Sequence, residues 1–87
     1  MESYIRKTPK NDILNNPHKY AWNIVLRVMQ FTDLELLSVR EYCEIKDIIR
    51  FQNSASEQFL IKHFSEDIDK SLDVDWNDVK KYCINRL

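Results

Sequence analysis

Glycine is absent from all 87 residues. Phosphate loops of the mononucleotide or dinucleotide type need glycine so that backbone can approach phosphate, and both types are excluded. Two-residue β-hairpins are disfavoured for a related reason, since they lean on Asn-Gly or Asp-Gly turns. Proline is scarce, with Pro9 and Pro17 the two present. No apolar run approaches the ~18 residues that would mark a membrane span. The opening MESYIRKTPKND lacks the apolar stretch of a secretion signal. Cys43 and Cys83 are the two cysteines, and without such a signal they are expected to be reduced thiols in a cytoplasmic or nuclear protein. A charge excess is lacking too. Lysine and arginine number 13 against 14 aspartates and glutamates, giving a net charge of −1. That is not the basic footprint of a non-specific nucleic-acid binder, so a nucleic-acid partner is not expected.

The chain has ample apolar content. Hydrophobic residues make up 44% and charged residues 31%, proportions that suit a small globular domain better than a disordered chain. The longest periodic run is DLELLSVREYCEIKDIIRF, from Asp33 to Phe51. Leu34, Leu37, Tyr42, Ile45, Ile48 and Ile49 fall close to one helical stripe, with a possible break near Ser38. Thr32 and Asp33 sit where a short side-chain oxygen can cap the first free amides. Upstream, Asn15-Asn16-Pro17 reads as a helix start, and Tyr20, Ile24, Arg27 and Phe31 line one strip of the helix it opens. Trp22 and Leu26 broaden that apolar surface, and Trp22 is the candidate for an exposed anchor. Ser54 and Glu57 form a capping-box pattern ahead of Phe59, Leu60, Ile61 and Phe64, as do Asp75 and Asp78 ahead of the last helix. That helix is expected to bury Trp76, Val79, Cys83 and Leu87. Lys80, Lys81 and Arg86 near its end complement the helix dipole. The expected fold is an all-α, single-domain bundle of about four helices, roughly 17–31, 33–52, 55–65 and 76–86, preceded by a mobile arm over residues 1–12.

Three groups of residues bear on function. In the acidic stretch, Asp67, Asp69, Ser71, Asp73, Asp75 and Asp78 occupy alternate places and the last place of a twelve-residue window. This resembles an EF-hand calcium loop, with Leu72 where a glycine normally makes the turn and Asp78 where a glutamate normally closes the shell. A solvated acidic loop with capping aspartates is the expected reading, and calcium ligation the alternative. The second group, His18, Cys43, His63 and Cys83, has no short ligand spacing, so neither zinc nor thiol catalysis is expected. The third is the segment VMQFTDLELLSVREYCEIKDII, continued by NSASEQFLIKHF.

Within residues 22–64, Phe31, Glu35, Leu36, Leu37, Val39, Cys43 and Ile49 fall where an F-box has its conserved-type residues, and Phe59 where a trailing aromatic stands. The segment therefore resembles an F-box. The leading Leu-Pro is missing, and Lys46 stands in place of an aromatic. The resemblance implies binding to the Skp-type adaptor of a cullin ubiquitin ligase through Trp22, Ile24, Val28, Phe31, Leu36 and Leu37.

The general expectation is a non-enzymatic helical protein-binding module, an inhibitor or regulator that uses no cofactor, with the glycine-free, isoleucine-, lysine- and asparagine-rich make-up common in small viral and phage proteins. The F-box-like adaptor is one alternative and the calcium loop another. A helix-turn-helix DNA binder is a third, but Gln58, Lys62 and His63 would be its only polar readers.

Overall fold

A computed structural model describes residues 2–84 and residue 86, with side chains from Tyr4 onward. All regular structure among these residues is helical: α1 (Glu2–Lys7), α2 (Lys10–Asn15), α3 (Trp22–Val28), α4 (Asp33–Ser38), α5 (Ile45–Phe51), α6 (Glu57–Lys70) and α7 (Trp76–Cys83). Single 3₁₀ turns at Pro17–Lys19 and Arg40–Tyr42 precede α3 and α5. The all-α class is as expected, but the helices are shorter and more numerous.

The expected mobile arm is instead two short helices. Ile5 on α1 is 2% exposed and Ile13 on α2 is 0% exposed. Each brings one isoleucine to the core, and α1 lies along α3. The expected helix over 17–31 is a 3₁₀ turn, an extended link at Tyr20–Ala21, and α3, which stops at Val28. The expected helix over 33–52 divides after Ser38, as its sequence hinted, with Arg40–Tyr42 between the halves. Its stripe is only partly buried: Leu34 and Tyr42 are exposed, while Leu36 and Val39 join the core.

Caps fix several boundaries. Thr32 accepts from the Glu35 amide and the Glu35 carboxylate accepts from the Thr32 amide, which starts α4. Asp75 and Asp78 do the same for α7. The cap of α6 is Ser56, whose hydroxyl accepts from the Phe59 amide, and not Ser54. The Ser54 hydroxyl donates to the Phe31 carbonyl at 2.6 Å.

Gln52 determines how α3 ends. It is fully buried. Its amide nitrogen donates to the carbonyls of Leu26 and Met29, both at 2.7 Å, and its amide oxygen accepts from the Phe31 amide at 2.9 Å. Carbonyls that a helix leaves free at its C-terminus must find donors, and here they come from the end of α5. Gln30 completes the joint, donating to the Phe51 carbonyl and accepting from the Asn53 amide. The α3–α4 link and the α5–α6 link are thereby fastened side by side.

α6 runs five residues past its expected end, with a kink at Phe64 (φ −128°, ψ 15°). The Ser65 hydroxyl donates to the Ile61 carbonyl one turn back, a bond that tends to bend helices. From the Arg40–Tyr42 turn, Arg40 donates to the His63 carbonyl and to Asp67, and its guanidinium covers the Phe64 ring at 4.8 Å.

The structure also shows a repeat. Helices α1, α3, α5 and α7 form a row in which each packs on the next. The fourth residue of each, Ile5, Val25, Ile48 and Val79, is at most 2% exposed. The fourth residue of α2, α4 and α6 (Ile13, Leu36 and Leu60) is 0% exposed. Both sets of helices thus direct their fourth residue into one continuous core. At the fifth position the inner helices bury Leu26 and Ile49, whereas α1 and α7 expose Arg6 and Lys80.

Candidate functional site

A cavity of about 820 Å³ forms an open groove between the α4–α5 segment and the C-terminal half of α6. Leu37, Cys43, Ile45, Ile48 and Phe64 line it. Local structure explains why they meet there. The 3₁₀ turn after α4 carries Cys43 to the start of α5, and the kink in α6 sets Phe64 beneath Arg40. Leu72, in the loop between α6 and α7, stands at the lip and is fully exposed. Charged side chains of both signs, including Glu41, Lys46, Lys70 and Asp73, ring the opening.

Cys43, in the groove, is not an activated nucleophile. Cys43 is half-buried, and its thiol is pushed up to about 12 by desolvation and by the nearby charge of Asp47. A protonated thiol of this kind is inert. Desolvation also raises the Cys83 thiol, against the opposing pull of Arg86. Both cysteines are free.

A second, polar cleft of about 480 Å³ lies between α3 and α5. Asp47 lines it and is 7% exposed, and its Oδ2 has no hydrogen-bond partner. Desolvation raises the Asp47 carboxyl, Glu44 adds to the rise, and Lys46, Arg50 and Arg27 oppose it. A raised folded-state pKa means that Asp47 contributes its stability below the ordinary carboxylate pKa of about 4 and loses it as pH rises through the folded value. Asp47→Asn is therefore expected to raise the melting temperature at pH 7, by the equivalent of about 1 kcal/mol. The gain should shrink towards zero as the pH is lowered below 4. A gain that is independent of pH would show that ionisation is not its cause.

Of the six residues nominated for partner binding, Trp22, Phe31 and Leu36 are 5%, 3% and 0% exposed, and so are core residues. The Trp22 indole donates to the Pro17 carbonyl at 2.8 Å and packs on Phe31. Ile24, Val28 and Leu37 are half-buried against the core, and of these only Leu37 reaches the groove.

The acidic window does not form a calcium loop. Asp67 and Asp69 lie on α6, where Asp67 pairs with Arg40 and Asp69 accepts from the Trp76 indole at 2.8 Å. Ser71 accepts from the amides of Asp73 and Val74, and Asp75 and Asp78 are committed to capping α7. Among the described residues none takes the positive φ that a calcium loop needs at its turn, and no three His, Cys, Asp or Glu side chains gather to hold a metal. Of the buried set expected for α7, Val79 and Cys83 are buried and Trp76 is partly so, while Leu87 lies outside the described residues. No helix among the described residues is long and apolar enough to cross a membrane. Comparison with protein-family models, curated proteins and solved structures gave no match.

Sequence reading missed Ile45, Phe64 and Leu72 as groove residues. The signal was faint, because Phe64 reads as ordinary helix core until the kink is known, and Leu72 sits alone in an acidic stretch.

Proposed function

We propose that the chain is a non-enzymatic protein-binding module that takes an apolar-anchored peptide segment in the groove between α4–α5 and α6. One observation carries this reading: a wholly exposed leucine, Leu72, stands beside an apolar floor inside a charged rim. A few buried apolar anchors surrounded by a polar rim are how compact interfaces gain most of their affinity. Leu72 makes no contribution to the core, so its exposure has no folding benefit to offset it.

The test is selection of peptides from a displayed random library against the whole chain. Selected peptides should carry an apolar anchor and lose affinity by about tenfold or more on Leu72→Asp, with an unchanged circular dichroism spectrum. If the peptides bind Leu72→Asp as well as they bind the parent chain, the groove is not the binding site.

A further inference from the structure

The repeat places one cation at the same point of every helix in the row. The sixth residue is Lys7 in α1, Arg27 in α3, Arg50 in α5 and Lys81 in α7, and all four are exposed. In each helix the sixth residue lies about 200° round the axis from the buried fourth, so all four cations lie on the outward side of the row. The polar cleft shows this directly for the inner pair, since Arg27 and Arg50 both line it together with Asn23 and Lys46, the second residues of the same helices. Packed helices lie about 8–10 Å apart, so the cations form a ladder with rungs at roughly 10 Å. Four rungs span about 30 Å, within the 34 Å length of the molecule.

From this ladder we infer a second binding surface, on the outer face of α1, α3, α5 and α7, whose partner is an acidic protein helix lying across the row. Seven residues of a helix rise about 10.5 Å, so carboxylates at every seventh position meet successive rungs. A nucleic acid fits less well. Duplex phosphates recur every ~3.4 Å along each strand, so rungs at this spacing would leave most of them unneutralised. Glu44 and Asp47 line the same cleft and repel a continuous phosphate chain more than a helix whose carboxylates stand seven residues apart. The inference is independent of the apolar groove, and neither Leu72 nor Phe64 takes part.

Fluorescence anisotropy of the whole chain tests it, with a labelled alanine-based helical peptide bearing glutamate at every seventh position as the probe. Saturable binding that weakens as salt rises is expected. The double change Arg27→Glu and Arg50→Glu should reduce affinity by more than tenfold. Arg50→Gln with Lys81→Gln should reduce it several-fold, and that pair spares Arg27, whose guanidinium lies over the Phe51 ring. Asp47→Asn should tighten binding, and Lys62→Glu, on the exposed side of α6, should leave it unchanged. Absence of saturable binding, or an equal loss with Lys62→Glu, overturns the proposal. Tighter binding of a single-stranded oligothymidylate that displaces the peptide would assign the ladder to nucleic acid and overturn it as well.

Discussion

Gln52→Ala should cost about 3–5 kcal/mol, most of the stability expected for a domain this small. The side chain serves three backbone groups at once: the Leu26 and Met29 carbonyls and the Phe31 amide. Truncation leaves all three without their partner. The site is buried, so water cannot easily replace the lost bonds, and an unsatisfied buried polar group costs about 1–3 kcal/mol. The loss is visible in urea denaturation as a large drop in midpoint. Gln52→Glu is the informative companion. Its carboxylate can still accept from the Phe31 amide but faces two carbonyl oxygens with no donor, and protonation restores one. Its folded-state pKa is therefore raised, and the variant should grow more stable as pH falls through that value. A loss below 1 kcal/mol for Gln52→Ala would mean that the joint between the two links is held by Gln30 and Ser54 instead.

Trp22→Ala is expected to be nearly as damaging, at about 3–5 kcal/mol. The indole is 5% exposed, packs on Phe31 with ring centroids 5.6 Å apart, and donates to the Pro17 carbonyl. Its removal opens a cavity that the short helix α3 cannot collapse to fill, and it releases the 3₁₀ turn before that helix. An exposed anchor at this position would cost less than about 0.5 kcal/mol, so the unfolding curve separates the two roles directly. Trp76, half-buried and bonded to Asp69 near the surface, should cost clearly less. Tryptophan fluorescence gives a second reading, because the buried emission should disappear with Trp22 and largely persist with Trp76→Ala.

Local chemistry made part of this fold legible in the sequence. Absence of glycine pointed to helices. The caps at Thr32 and at Asp75–Asp78 act within four residues and need no tertiary knowledge, so their positions could be read directly, although the reciprocal bond to Glu35 was not. The misread boundaries depended on distant partners. Nothing near Val28 announces that α3 ends there, because the donor to its last carbonyls is Gln52. Ser54 satisfied the capping pattern on paper, but a carbonyl on the α3–α4 link claims its hydroxyl and leaves the cap to Ser56. Residues 1–12 looked like an arm because each short helix offers a single buried isoleucine, too little to register as a period. The row was hidden by unequal linkers and by the change from Trp22 and Trp76 to Ile45 at equivalent places. The partner surface was the hardest part to read, since apolar residues on a helix look alike whether they face the core or a groove.

The row of helices also shapes how the chain reaches its fold. Each member touches the one before and the one after, and α6 packs on both α5 and α7, so the contacts that define the structure join segments a few tens of residues apart at most. Closing such short loops carries a modest entropic cost, and chains dominated by local contacts fold quickly, on the microsecond to millisecond scale. Growth can begin at the Gln52 joint, where the α3–α4 and α5–α6 links meet, and extend outward one helix at a time. The same geometry makes the order of loss predictable. Backbone amides of α1, which packs chiefly on α3, should exchange with solvent before those of α3 and α5, so that end of the row can open while its centre stays closed.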